Sequence, residues 1–215
     1  MSDVNYLSAK PDEILNPEDE IHKLVPGARV DLTRLDPTLK RIKVGLGWDV
    51  IGFENEAPDL DASAFLLNKH DKTEADEDFV FYNNMKNLDS SVIHQGDSRT
   101  GAGDGDDESI DIDLIVLPFE VHKVVFSISI YDAAMRNQTF KNVRNCYLRI
   151  VNMDNDKEMM RFYLDKEFEE HPLATGLVVG AVLREGASWI FEGIGQFEDG
   201  GLQKIATDYG IVVAF

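Results

Sequence analysis

Short segments in which apolar and polar residues alternate follow one another through most of the chain from residue 41 onward. Residues 42–48 read IKVGLGW, and residues 121–131 are rich in β-branched and aromatic side chains. A period of two places alternate side chains on the same face of a strand. Turn-forming sequences at residues 153–158 and 185–188 indicate hairpins. The pattern predicts an all-β fold, a β-sandwich of two mainly antiparallel sheets with roughly nine or ten strands.

Helix is expected only in short pieces, in the N-terminal extension and at residues 133–138 and 200–209. The chain of 215 residues is 43% hydrophobic, which is enough for one sizeable core. We predict one domain over residues 24–215, preceded by an acidic extension over residues 1–23. This extension is interpreted either as a mobile acidic arm or as a docking segment for a partner.

The net charge of −19, from 40 acidic and 21 basic residues, narrows the classes of partner. Such a surface repels nucleic acid and does not bind anionic membranes unaided. The single cysteine, Cys146, excludes an intrachain disulfide, and its apolar neighbours predict a packed core thiol. We expect no signal peptide and no transmembrane segment, and therefore a cytoplasmic protein.

The most acidic stretch of the chain, residues 96–108, reads GDSRTGAGDGDDE and contains one base, Arg99. Dense carboxylates repel one another unless a cation lies among them, and glycines let a backbone approach an ion closely. Calcium takes roughly 6–8 such oxygen ligands. An EF-hand beginning at Asp104 fails at Ser109 and Ile115, where glycine and glutamate are required. The stretch predicts either a calcium site completed from elsewhere in the chain or a solvated acidic loop.

A second acidic centre lies at Asp59 and Asp61, just before an apolar strand. Residues two apart in an extended segment point the same way, so both carboxylates can face one ion. Asp132 ends the strongest predicted strand. Because loops at one end of a sandwich cluster in space, we expect these residues to meet the acidic loop.

Five motifs together give the chain a recognisable pattern. They are VGLGWD at residues 44–49, DLDAS at 59–63, FYNN at 81–84, GDSRTG at 96–101 and GDGDDE at 103–108. In order and spacing, over about residues 24–213, they resemble the TerD-type tellurium-resistance and stress proteins, which include calcium-binding members. The resemblance implies a cytoplasmic β-sandwich with two neighbouring Ca²⁺ ions. It also implies resistance to tellurite and other stresses without an assigned reaction, and partners among other stress-resistance proteins or a membrane-associated complex.

The resemblance carries a set of acidic metal ligands over to this sequence. They are Asp59, Asp61, Asp97, Asp104, Asp106, Asp107, Glu108 and Asp132. Asp49 is either a ligand or a turn residue, and Asn83, Asn84 and Thr100 either supply neutral oxygens or hold loops. Members of the family usually have asparagine where Ser98 stands, which would weaken the site if that side chain were a ligand. His94, three residues before Asp97, is expected to be a surface strand residue, the alternative being that it reaches the site.

These residues favour a non-catalytic calcium-binding protein in which the ions order a partner-binding face. One alternative is a module that uses calcium to bridge to anionic lipid. Another is a metal-dependent phosphoesterase, for which a general base is missing and Arg99 is the only base within the loop. The five histidines show no zinc-binding spacing.

Overall fold

The computed structural model describes residues 26–50, 58–96 and 105–211, so the predicted extension over residues 1–23 lies outside the described residues. Eleven strands form within these ranges. They are β1 (Arg29–Asp31), β2 (Arg41–Val50), β3 (Leu60–Leu67), β4 (Phe79–Val80), β5 (Val92–His94), β6 (Glu108–Asp113), β7 (Lys123–Ile130), β8 (Val143–Asn152), β9 (Lys157–Tyr163), β10 (Gly176–Glu185) and β11 (Ser188–Glu198). The helices are α1 (Leu32–Leu35), α2 (Ala133–Arg136), α3 (Asp165–Glu170) and α4 (Gly201–Asp208), with 3₁₀ turns at Asp76–Asp78 and Phe140–Asn142.

The strands form two antiparallel sheets, which confirms the predicted β-sandwich. The six-stranded sheet has the order β1-β11-β10-β7-β3-β4, and the five-stranded sheet has the order β5-β6-β2-β8-β9. Both predicted hairpins are present, between β8 and β9 and between β10 and β11. No helix in the described part of the chain is both long enough and apolar enough to cross a membrane.

The main core lies between the sheets, and the alternation along β2 supplies it with Ile42, Val44 and Leu46. Each such side chain contributes about 1.5–3 kcal/mol when it is fully buried. Every residue of β3 is buried, because α4 packs on the outer face of the six-stranded sheet. Burial on both faces explains why the apolar run at residues 62–67 is continuous instead of alternating.

Three elements are absent from the sequence-based expectations: β1, α1 and α3. The helix α3 is strongly acidic and contributes one buried side chain, Phe168, which stacks on Phe140 with ring centroids 4.1 Å apart. Tertiary packing, which the local pattern does not encode, therefore fixes it. The predicted final strand or apolar tail at residues 211–215 lies outside the described residues except for Ile211, which is buried.

The loops meet at two opposite ends of the sandwich. At one of these ends β3 and β6 begin and β2, β7 and β11 end, and we call it the upper end. It carries both acidic motifs as far as they are described. Cys146 lies deeper, is fully buried, and its thiol pKa is raised well above the ordinary value by that burial, as expected of a core thiol.

Candidate metal centre

The two acidic motifs reach the upper end from different sheets. Asp59 and Asp61 flank the first residue of β3, in the six-stranded sheet, whereas Glu108 is the first residue of β6, in the five-stranded sheet. All three carboxylates are buried, with 6%, 3% and 3% of each residue exposed, respectively. Burying a charge costs much free energy unless it is paired or hydrogen-bonded, so three buried acids at one end are an unusual arrangement.

Glu108 connects the two sheets directly. Its Oε2 atom accepts a hydrogen bond of 2.7 Å from the backbone N–H of Ala62 in β3. The strand β4 pairs only with Ala64 and Phe65, so it leaves this edge of β3 open at Ala62. The carboxylate therefore takes the place of a neighbouring strand and brings the second motif against the first.

His94 lies beside Glu108, and the expectation of a surface position for it is wrong. Its side chain is fully buried, and its Nε2 atom lies 3.4 Å from Oε2 of Glu108. The N–H of Gly96 points at Nδ1 at 3.3 Å, which assigns the proton to Nε2. His94 is two residues from buried Val92, so the period-two pattern of β5 already placed it on the inner face.

Asp106 is held by two side chains that the sequence analysis did not predict as its partners. Arg149 donates to both of its carboxylate oxygens, at 2.7 and 2.9 Å, and the hydroxyl of Tyr147 donates at 3.1 Å. Burial, together with Asp106, raises the pKa of Tyr147 to about 12. Arg99 is therefore not the only base that serves the acidic stretch. A calcium-ligand role for Asp106 stays a prediction.

Asp107 lies against the end of β2. Its Oδ2 atom accepts a hydrogen bond of 2.9 Å from the backbone N–H of Trp48. Burial raises the pKa of the Asp107 carboxyl, and the charges of Asp49 and Asp106 raise it further, although the Trp48 hydrogen bond opposes this. Asp49 itself accepts a hydrogen bond of 2.6 Å from Asn145, which fits the turn-holding interpretation.

Asp132 lies two residues beyond β7 in the left-handed conformation, with φ of 49°. The N–H of Tyr131 donates to the carbonyl of Asp59 at 2.9 Å, which holds the end of β7 beside the start of β3. Asp61 and Asp132 line one cavity. Asn84 donates to the carbonyls of Glu77 and Phe79, so its amide nitrogen holds the loop.

Two members of the predicted ligand set, Asp97 and Asp104, lie outside the described residues, as do Ser98, Arg99 and Thr100. Within residues 26–50, 58–96 and 105–211, no three histidine, cysteine, aspartate or glutamate side chains converge closely enough to hold a metal ion. The described residues thus bring two acidic motifs into contact, and a complete site would need ligands from residues 97–104.

Comparison with known proteins shows the family of the chain. The TerD domain model matches residues 21–209. The tellurium resistance protein TerD of Serratia marcescens is 43% identical over 188 residues, covering 87% of this chain and 96% of the relative. General stress protein 16U of Bacillus subtilis is 41% identical over 191 residues, covering 88% of this chain and 97% of the relative.

A solved structure from Streptomyces coelicolor A3(2), described as a homologue of the telluride resistance protein TerD, has the same fold. It superposes with a TM-score of 0.66 at 21% identity and covers 81% of this chain and 99% of its own. The family match spans both acidic motifs and the strands that carry them. The chain belongs to the TerD family of tellurium-resistance and general stress proteins.

Proposed function

We propose that this chain is a non-catalytic calcium-binding protein of the tellurium-resistance and stress-response type. Two Ca²⁺ ions would be held by the acidic residues at the upper end and would order a face that binds a partner. The ligands would come from Asp59, Asp61, Asp97, Asp104, Asp106, Asp107, Glu108 and Asp132. Calcium would supply the positive charge that lets buried and clustered carboxylates remain ionised.

The observation that carries the proposal is the hydrogen bond between Glu108 and the backbone of Ala62. These residues are 46 positions apart, yet the bond joins the GDGDDE motif to the DLDAS motif across the two sheets. Glu108 already has Ala62 and His94 beside it. A cation facing the same carboxylate would offset more of the cost of burying its charge. Hard carboxylate oxygens from several loops are the ligands that calcium prefers.

The upper end also offers surface for a partner. Met135 in α2 and Leu173, in the connection between α3 and β10, are 86% and 76% exposed, respectively. Both connections lie at the end that carries the acidic motifs. Exposed apolar side chains near the candidate ions suit a face that forms when the loops are ordered.

A calcium titration of EDTA-treated full-length protein by calorimetry, with Mg²⁺ present throughout, tests the proposal. We expect two binding events, and we expect Asp61→Asn or Asp107→Asn to weaken calcium binding at least tenfold, about 1.4 kcal/mol. The matched control is Asp156→Asn. Asp156 lies in the β8–β9 turn at the opposite end, with φ of 56°, a conformation that asparagine tolerates. Absence of heat in the parent protein, or unchanged affinity in both site variants, would contradict the proposal.

The exposure of Met135 and Leu173 also favours a second candidate, a calcium-dependent membrane-binding module. Its test is sedimentation with phosphatidylserine-containing vesicles, with and without calcium. Calcium-dependent sedimentation that Met135→Ser abolishes would favour the membrane function. Calcium binding without sedimentation would favour a protein partner.

A further inference from the structure

We infer that a cavity at the upper end, lined by both apolar and polar groups, binds a neutral, polyhydroxylated ligand of the sugar class. The cavity has a volume of about 780 Å³, within the range of roughly 300–1,000 Å³ that is typical of small-molecule pockets. It lies on the outer face of the six-stranded sheet, between the loop that contains α2 and the first turn of α4. Two candidate metal ligands, Asp61 and Asp132, line it. The other lining residues are not proposed calcium ligands, so the cavity extends beyond the proposed calcium centre.

The charge of the lining excludes anions. Asp61, Asp132 and Asp199 line the cavity, and among the described residues no lysine, arginine or histidine does. Phosphate, nucleotides and tellurium oxyanions would meet these three carboxylates in the lining. The ligand must therefore be neutral or cationic.

The hydrogen-bonding groups of the lining distinguish these two classes. Asn83, Asn137 and Gln203 each carry an amide NH₂ group as well as a carbonyl oxygen, and Thr139 adds a hydroxyl. The helix α4 begins beside the cavity after Gly200, which offers no side chain to cap the N–H groups of its first turn. An organic ammonium ion has no acceptor for these donors. The hydroxyls of a sugar both donate to the aspartates and accept from the amides.

Two tyrosine rings complete the wall. Tyr82 and Tyr131 pack edge to face with centroids 5.7 Å apart, and both line the cavity. Aromatic rings offer flat apolar surface at low entropic cost, while the amides and carboxylates around them fix orientation. Apolar C–H faces and hydroxyl edges are the two surfaces that a sugar ring presents.

The test is a two-dimensional ¹⁵N NMR titration of the full-length protein with D-glucose, D-galactose, D-mannose and trehalose. It is run in EDTA and again with calcium, and spermidine and inorganic phosphate serve as charged comparison probes. We expect at least one sugar to shift the amide signals of Ser129, Asn137 and Gly201 saturably. We expect Gln203→Ala and Thr139→Val each to weaken that binding at least fivefold. The matched control Gln196→Ala, in β11 and not part of the cavity lining, should bind as the parent does.

The inference is overturned if no sugar gives saturable shifts in either condition, or if only spermidine or phosphate does. Neither Gln203 nor Thr139 belongs to the proposed calcium ligands, so calorimetry with calcium on the same variants separates the two proposals. Loss of sugar binding with calcium binding retained in Gln203→Ala supports two distinct sites.

Discussion

At the scale of single residues, the acids of the upper end differ in what holds them. Asp106 is paired with Arg149, and Glu108 accepts from a backbone N–H, so each has a protein partner with a defined geometry. Removing one partner of a buried charge leaves the other uncompensated, which costs several kcal/mol. A substitution at Arg149 therefore tests the fold. Asp107 also accepts a backbone hydrogen bond, from Trp48, and Asp107→Asn keeps an oxygen acceptor for it while removing the charge.

Asp111 in β6 allows a prediction about pH. Burial raises the pKa of its carboxyl above the ordinary value of 3.8, and the charge of Lys43 offsets this only in part. Because the folded-state pKa is raised, the group stabilises the fold below its unfolded pKa, and that contribution is lost as the pH rises through the folded pKa. The Asp111→Asn variant, which cannot ionise, should be more stable than the parent at about pH 7, with the difference vanishing at about pH 3.

Urea unfolding of metal-free protein at both pH values measures this difference. The asparagine keeps an oxygen for the 2.9 Å hydrogen bond from Gln95, so the comparison isolates the charge. Asp156→Asn, at an exposed turn position, provides the baseline. A variant less stable than the parent at about pH 7 would show that the charge of Asp111 is favourable in the fold.

At the scale of elements, β2 is shaped around the acidic motif. A Cβ atom added at Gly45 would collide with the carboxylate of Asp106. The three atoms nearest to such a Cβ are the two oxygens and the carbon of that carboxylate. Gly45→Ala should therefore displace Asp106 from Arg149 and lower the free energy of unfolding by about 1–3 kcal/mol, as overpacking does. Denaturant unfolding of the variant measures this loss.

The same substitution in an Asp106→Ala background supplies the control. If the collision with Asp106 is the cause, the cost of Gly45→Ala should largely disappear there, because the colliding atoms are gone. An equal cost in both backgrounds would assign the effect to the strand backbone.

The elements also show how far the sequence could predict this molecule. Alternation predicted β2, because period two follows directly from strand geometry. The β-branched and aromatic residues predicted β7, and turn-forming sequences predicted both hairpins. These patterns did not predict α3, whose place depends on the stacking of Phe168 on Phe140. The acidic motifs were visible in the sequence, and Asp59, Asp61 and Glu108 were placed at one end as expected. The pairing of Asp106 with Arg149 could not be predicted, because it joins a residue that precedes β6 to a residue of β8 that is 43 positions away.

At the scale of the whole molecule, the net charge of −19 opposes the compact state through self-repulsion. The sandwich concentrates part of this charge at its upper end, where Asp59, Asp61 and Glu108 are buried. Bound divalent ions and dissolved salt relieve repulsion differently, since salt screens exposed charges much more effectively than buried ones. This difference separates specific ion binding from general screening.

Calcium should therefore raise the melting temperature of EDTA-treated protein well beyond the effect of sodium chloride at equal ionic strength. One site with free calcium at about 100 times Kd adds about 2.7 kcal/mol. For a chain of this size each kcal/mol corresponds to about 2–4 °C, so we expect an increase of roughly 5–11 °C per site. Calorimetric melting in calcium, magnesium and sodium chloride measures it. Equal increases in calcium and in matched sodium chloride would show that the ions act only by screening, and Asp61→Asn should reduce the calcium-specific part.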